Sequence, residues 1–197
     1  LALVKSASAK PLPLRREKSD NPPAPFPMYL SAHSPLALLS TGGTFEKVYC
    51  PQDGRLWFQE SGLEHWRSQC RLPQDTRLEV VMLVDSLEMT EDERQRLAQR
   101  IAHAPEDRVV VIHGTDTMVA SALLAAQSQR SDQVVVFTGA MIPASQAGSD
   151  ALFNLGMAVS ASALLPPGSY ICMSAGVFRS DQVQKNKALG RFEAQTD

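Results

Sequence analysis

The 197-residue sequence is short of most features that mark a specialised environment. With 19 Lys and Arg against 21 Asp and Glu, the net charge is only −2. There is no basic excess to draw nucleic acid or an anionic membrane, and neither is expected as a partner. No apolar run approaches the ~18 residues a membrane-spanning helix needs, so no membrane association is expected either. The three cysteines, Cys50, Cys70 and Cys172, are odd in number, far apart and in no CxxC spacing. They read as free thiols of a reducing compartment, so a cytoplasmic location is expected and a zinc knuckle is not. His33, His65 and His103 lack metal-ligand spacing, so no metal is expected. Neither a GxSxG elbow nor a GxxxxGK[ST] phosphate loop occurs, which sets aside the hydrolases and nucleotide binders built on them.

What is present divides into two parts. Residues 1–33 (LALVKSASAKPLPLRREKSDNPPAPFP and a few more) are proline-rich and show no apolar periodicity. They carry neither an initial Met nor a sustained apolar stretch, so no secretory signal is expected. A basic, serine-containing leader is conceivable, although Glu17 and Asp20 oppose a transit peptide. The expectation is a disordered or leader extension. Residues 34–197 read as one α/β domain. LALLS (36–40), LEVVMLV (78–84), RVVVIHG (108–114), QVVVFTG (133–139) and SYICMSAG (169–176) are nearly continuous in apolar residues, as strands buried on both faces are. TEDERQRLAQRIAHA opens with Thr90 and Glu93 at capping-box spacing. With DTMVASALLAAQ (116–127) and SDALFNLGMAVSASALL (149–165) it supplies the helices between strands. Such alternation predicts a mostly parallel sheet with helices on both faces.

Open parallel sheets bind ligands beyond the carboxyl ends of their strands. Those ends here are Thr41-Gly42-Gly43-Thr44, Asp85-Ser86, His113-Gly114-Thr115-Asp116-Thr117, Thr138-Gly139-Ala140 and Ser174-Ala175-Gly176, and together they suggest a pocket floor. Taken singly, each has a plain structural reading: Thr44 and Asp116 as helix caps, Ser86 as a loop residue, His113 as a satisfied core histidine. A threonine hydroxyl is a poor nucleophile without a base to take its proton. Lys185 and Lys187 follow a stretch that could return to the edge of the sheet. A lysine held in a dry crevice among hydroxyls gives up its proton more readily than one in water.

Four segments, TGGTF, DSLEM, VVVIHGTDTM and VVVFTGAMIPASQAGSDALFNL, resemble the signature segments of the L-asparaginase/glutaminase family with threonine nucleophiles, in that family's order. The resemblance covers residues 36 to 192, the family's N-terminal domain, and implies a flavodoxin-like α/β fold with no cofactor. It implies an amidohydrolase that converts the side-chain amide of L-asparagine, or a related small amide, to the acid and ammonia. Thr44 matches the nucleophile. Thr115, Asp116 and Lys185 match a second triad in which the lysine activates the Thr115 hydroxyl. Asp116 would also take the substrate ammonium and Ser86 its carboxylate, while Ala140 would line the amide. Gly43 and Gly114 would offer backbone N–H groups to the oxyanion. Tyr49 is the candidate for the tyrosine that assists the first nucleophile, with a packing role as the alternative. A homodimer or larger homo-oligomer is implied as well.

Two positions and one missing counterpart depart from that pattern. Leu87 follows Ser86 where a polar residue binds substrate, and Ile142 stands where Arg or Gln is frequent. The glutamate supplied by the family's C-terminal domain has no counterpart among these residues, so a differently closed or weakened site is expected. Two other functional classes stay open on this basis: a catalytically weak amino-acid-binding or regulatory module, and an amidotransferase component that needs a partner subunit.

Overall fold

A computed structural model of the chain describes residues 35–195, and the expected leader or extension at residues 1–33 lies outside the described residues. In chain order come β1 (Leu36–Gly42), a one-turn helix α1 (Gly43–Glu46), β2 (Val48–Cys50), β3 (Arg55–Trp57) and α2 (Leu63–Gln69). There follow β4 (Arg77–Val84), α3 (Glu91–Ala102), β5 (Arg108–Ile112), α4 (Met118–Ser128), β6 (Val134–Thr138) and α5 (Ala151–Leu164). The chain continues with β7 (Gly168–Met173), β8 (Gly176–Arg179), β9 (Val183–Asn186) and β10 (Arg191–Ala194). No helix among the described residues is long and apolar enough to cross a membrane.

The main sheet has the order β4-β1-β5-β6-β7-β8. Its first five strands are parallel and β8 runs antiparallel to β7. Counting the parallel strands along the chain gives the order 2-1-3-4-5, the flavodoxin-like arrangement. Side chains alternate between two cores, as the two-residue period of a strand requires. Ala37 and Leu39 of β1, with Val109 and Val111 of β5, join Leu97 and Ile101 of α3 and Met118, Ala122 and Ala125 of α4. Leu36, Leu38, Val110 and Ile112 point the other way, to Leu63 and Trp66 of α2 and Ala151, Leu155 and Ala158 of α5. Strands buried on both faces have no room for a polar phase, which explains their unbroken Val and Ile runs. On α3 the capping box is formed: the Thr90 side chain accepts from the Glu93 N–H, and the Glu93 carboxylate takes the Thr90 N–H.

Two segments differ from the sequence expectation. SYICMSAG is not one strand: β7 ends at Met173 and turns back through Ser174 and Ala175, with φ of 54° and 62°, into β8. Two consecutive left-handed residues make a two-residue hairpin turn of the kind that suits twisted strands, built here without the usual Asn-Gly. The last carboxyl end is thus a hairpin tip. Lys185, in turn, does not lie on the main sheet. It sits on β9, which pairs with β10 as a separate antiparallel ribbon. Val183 and Phe192 of that ribbon are buried in the core on the α4 side.

After β1 the chain passes to the α2 side of the sheet, and after β5 to the α4 side. Loops that diverge from adjacent strands leave a crevice between them. In this fold that opening, at the switch point, is where ligands bind.

Candidate functional site at the strand ends

Three loops meet at the crevice: Gly43 lies backbone to backbone against Gly114, and Gly114 lies against the Ser86 side chain. A Cβ placed on Gly43 would lie 2.4 Å from the Gly114 Cα, and one on Gly114 would lie 2.5 Å from the Ser86 Cβ. Gly43 also holds φ at 68°, a conformation costly for residues with a side chain. The loops after β1, β4 and β5 are therefore in direct contact. The glycines of TGGT and HGTDT make the contact possible.

Thr44 is the second residue of α1, and the N-cap position belongs to Gly42, which has no side-chain cap. The capping reading of Thr44 thus does not apply. Its side chain is partly exposed, and among the described residues its hydroxyl takes no hydrogen bond. The α1 turn itself is held firmly. Phe45 O accepts from the Ala144 N–H at 3.1 Å, and Lys47 O accepts from the Ser145 hydroxyl at 3.1 Å. The buried Glu46 carboxylate accepts from the hydroxyls of Ser40 at 2.5 Å and Ser61 at 2.7 Å and from the Gly62 N–H at 3.0 Å.

Lys185 Nζ donates to Thr115 Oγ1 at 2.7 Å and to Asp116 Oδ1 at 2.9 Å. Thr115 is buried, and the Lys185 side chain is only 11% exposed. The ribbon accounts for this placement. Val183 and Lys185 are two residues apart and share a face of β9, and Phe192 stands directly opposite Lys185. Burial of Val183 and Phe192 in the core turns that face inward, so Lys185 enters the crevice while Gln184 points to solvent. Lys187 lies past the end of the strand and makes no such bonds. Asp116 is engaged with this lysine rather than with the start of α4, whose N-cap is Thr117. The Thr117 hydroxyl donates to Ser86 O at 2.8 Å, tying the β5 loop to the β4 loop.

A second ion pair adjoins the first. Lys47 Nζ lies 2.6 Å from Asp85 Oδ2 and 5.5 Å above the Phe58 ring. Burial pushes the Asp85 carboxyl up. The hydrogen bonds from Lys47 and the Leu87 N–H, with the charges of Lys47 and Lys185, outweigh it and hold the group below the usual carboxylate range. Lys47, Asp85, Lys185 and Asp116 thus alternate in sign across the crevice. Glu46 and Lys47 were missed by sequence reading, while Asp85 and Thr117 were named only as strand-end residues with no role given to them. Lys47 stands three residues after Thr44, and only its cross-loop partner reveals its place.

The other expected residues are placed as follows. Ser86 is buried in the turn after β4. Ala140 is buried two residues past the end of β6, its side chain in the core on the α5 side. Its loop is pinned by Asp150, which accepts from the N–H groups of Met141 and Ile142 at 3.0 Å each, and by Asn154 Nδ2, which donates to Gly139 O at 3.0 Å. The Ser149-Asp150 and Asn154 positions of the long motif are thus the supports of that loop. Tyr49 stands on β2 at 58% exposure, so it is not a packing residue, and no hydrogen bond joins it to either threonine. Leu87 and Ile142 are exposed.

His113 is fully buried and paired with a serine. Its Nδ1 lies 2.7 Å from Gly114 O, and its Nε2 lies 2.8 Å from Ser121 Oγ, which also receives a hydrogen bond from Arg94. Arginine can only donate and a carbonyl can only accept. The chain therefore runs one way, from Arg94 through Ser121 and the His113 ring to Gly114, with the ring proton on Nδ1. Desolvation lowers the His113 pKa to about 4, with Arg94 adding to the fall and the Gly114 bond opposing it. Both ring nitrogens are committed, so His113 holds the loop and is not aimed at a ligand. Among the described residues no group of three or more His, Cys, Asp or Glu is placed to hold a metal ion.

Over residues 35–195 the chain matches the family model described as Asparaginase, N-terminal. It is 32% identical over 168 residues to a glutamyl-tRNA(Gln) amidotransferase subunit of Haloquadratum walsbyi, covering 79% of this chain and 38% of that protein. It is 34% identical over 123 residues to L-asparaginase 1 of Escherichia coli, covering 58% of this chain and 36% of the relative. A probable cytoplasmic L-asparaginase from Campylobacter jejuni has a similar structure, with a TM-score of 0.72 at 27% identity, over 82% of this chain and 53% of that one. The chain thus spans little more than a third of these curated relatives and about half of the solved one.

Proposed function

The chain belongs to the asparaginase family through its N-terminal domain, and from that premise we propose that it is an amidohydrolase releasing ammonia from the side chain of L-asparagine or a related small amide. The observation that carries the reading is the largely buried Lys185 ammonium set between the buried Thr115 Oγ1 and the exposed Asp116 Oδ1. In this reading Thr44 Oγ1 attacks the carboxamide carbon. The tetrahedral intermediate expels ammonia and leaves an ester on Thr44, which water then cleaves to the acid. Backbone N–H groups around Gly43 and Gly114 serve the oxyanion, since loops without side chains let it approach. Asp116 takes the substrate ammonium and Ser86 the carboxylate, with Ala140 lining the amide.

Lys185 as an ammonium only donates hydrogen bonds. To take the Thr115 proton it must first pass one of its own to Asp116 or to water. Tyr49 is assigned to Thr44 on resemblance, and this requires the β2–β3 hairpin to bend toward the crevice. Residues 34–197 form the working unit in this reading, and three free thiols suit a cytoplasmic setting.

Thr44→Ala and Thr115→Ala should each lower ammonia release by roughly a thousandfold while the circular-dichroism spectrum stays unchanged. If either folded variant turns over as fast as the parent chain, the assignment fails. The similarity to an amidotransferase subunit supports a second reading, a component active only beside another chain. Ammonia release by the purified chain alone separates the two. Calorimetric binding of aspartate without turnover would instead identify a binding module.

A further inference from the structure

The turn that carries Thr44 is entered through two glycines of positive φ, Gly42 at 97° and Gly43 at 68°. Glycine permits such a turn, but its freedom leaves the turn without a preferred shape of its own. A single helical turn such as α1 is also costly to form by itself. The loop after β6 grips only its far end, at the Phe45 and Lys47 carbonyls. The near end needs another hold.

Glu46 supplies it. The residue is buried, yet among the described residues no basic group pairs with its carboxylate. A buried carboxylate without a counter-charge has to be satisfied by hydrogen-bond donors. Ser40 Oγ donates to Glu46 Oε1 at 2.5 Å and accepts the Gly42 N–H at 3.3 Å. Gly42, Ser40 and Glu46 thus close a ring of hydrogen bonds with Thr44 in its middle. From the opposite side Ser61 Oγ donates to Oε1 at 2.7 Å while accepting the Leu63 N–H at 3.3 Å, and the Gly62 N–H donates to Oε2 at 3.0 Å. Glu46 and Ser61 bracket β2 and β3, so one carboxylate also clasps the two ends of that hairpin.

Both serines accept from a backbone N–H, so their own protons have to go to Glu46. Only an ionised carboxylate, which accepts and never donates, serves all three donors. An amide could face its oxygen to Gly62 or to the serines, but not to both. We infer that Glu46 is the positioning residue of the Thr44 nucleophile: its carboxylate selects the turn that presents the hydroxyl to the crevice. The inference rests on the reading of Thr44 as nucleophile. A misplacement of about 1 Å slows a reaction by roughly a hundredfold. Asp116 and Ser86, assigned to the substrate, make no bond with Glu46. The loss therefore falls on kcat and spares KM.

Glu46→Gln keeps the side-chain volume. It should lower kcat for ammonia release from L-asparagine by roughly a hundredfold, with KM within about threefold and unchanged circular dichroism. Hydrogen exchange supplies a readout independent of turnover: the Gly42, Gly62 and Leu63 amides should exchange at least about tenfold faster in the variant. Ser40→Ala cuts the ring while leaving the carboxylate in place. It should lower kcat by roughly tenfold and speed Gly42 exchange, and it carries the test if Glu46→Gln does not fold. A folded Glu46→Gln chain with near-parental kcat, or with its loss in KM alone, overturns the proposal. Unchanged exchange at these amides overturns it as well. A parent chain that releases no ammonia removes the reading of Thr44 instead, and the exchange rates then decide whether Glu46 selects the turn.

Discussion

At the scale of single residues, Lys185 separates a proton acceptor from a mere charge. Lys185→Arg keeps a cation beside Asp116, but a guanidinium stays protonated under any working condition. If Lys185 takes the Thr115 proton, the arginine variant should bind aspartate comparably yet lose ammonia release by roughly a hundredfold or more. An arginine variant with near-parental turnover would limit Lys185 to a charge role. Lys185 was legible only through the family resemblance, because the residues alone left it open beside Lys187, and the alternation with Val183 that turns it inward is seen in the structure. Lys47 and Glu46 were not, because their partners Asp85 and Ser61 sit on other loops. No local spacing encodes a contact made across loops, and a lysine in a motif looks like any solvated charge until its partner is placed.

At the scale of elements, the turn from β1 into α1 is the strictest. Gly43→Ala combines a Cβ 2.4 Å from the Gly114 backbone with a positive φ. It should cost about 2–4 kcal/mol in urea-induced unfolding and disturb the crevice together with the fold. Thr90→Ala, by contrast, removes only the cap of α3. It should cost about 1 kcal/mol with ammonia release unaffected. A larger loss of activity than of stability in that variant would show that α3 does more than pack. The five parallel strands and the long helices were readable because burial on two faces forces continuous apolar runs. The short hairpins β2–β3 and β9–β10 were not, since three or four residues hold too little pattern. The Ser174-Ala175 turn escaped notice because two left-handed residues were built without glycine or asparagine, the usual signal.

At the scale of the whole molecule, stability should fall with acid, and the sign follows from His113. Its folded pKa of about 4 lies below the ordinary 6.5. Above pH 6.5 the ring is neutral in both folded and unfolded chains, so stability is complete. As pH drops from 6.5 toward 4, the unfolded chain gains a proton that the folded one refuses, and up to about 3 kcal/mol is lost. Asp85, Glu79 and Glu106, whose pKa values are lowered by their basic partners, lose stability in the same direction at lower pH. Urea unfolding between pH 7 and 4.5 should show this decline, and His113→Gln should flatten it while lowering stability at pH 7. An unchanged slope in that variant would contradict the burial of a neutral ring. The fold class was legible from strand–helix alternation, whereas the strand order that opens the crevice between β1 and β5 came only through the family resemblance, which implied the flavodoxin-like arrangement. Sequence shows which segments are strands, whereas their neighbours are chosen by packing of the helices between them.

The one-way chain from Arg94 to Gly114 has a consequence for observation. The Nδ1 proton of His113 is buried, short-bonded and fixed to one nitrogen, so it exchanges with solvent only when the β5 loop opens. It should therefore appear as a slowly exchanging, downfield proton resonance from a single imidazole. Its rate of replacement by deuterium would time the opening of the crevice floor, with or without a ligand above it.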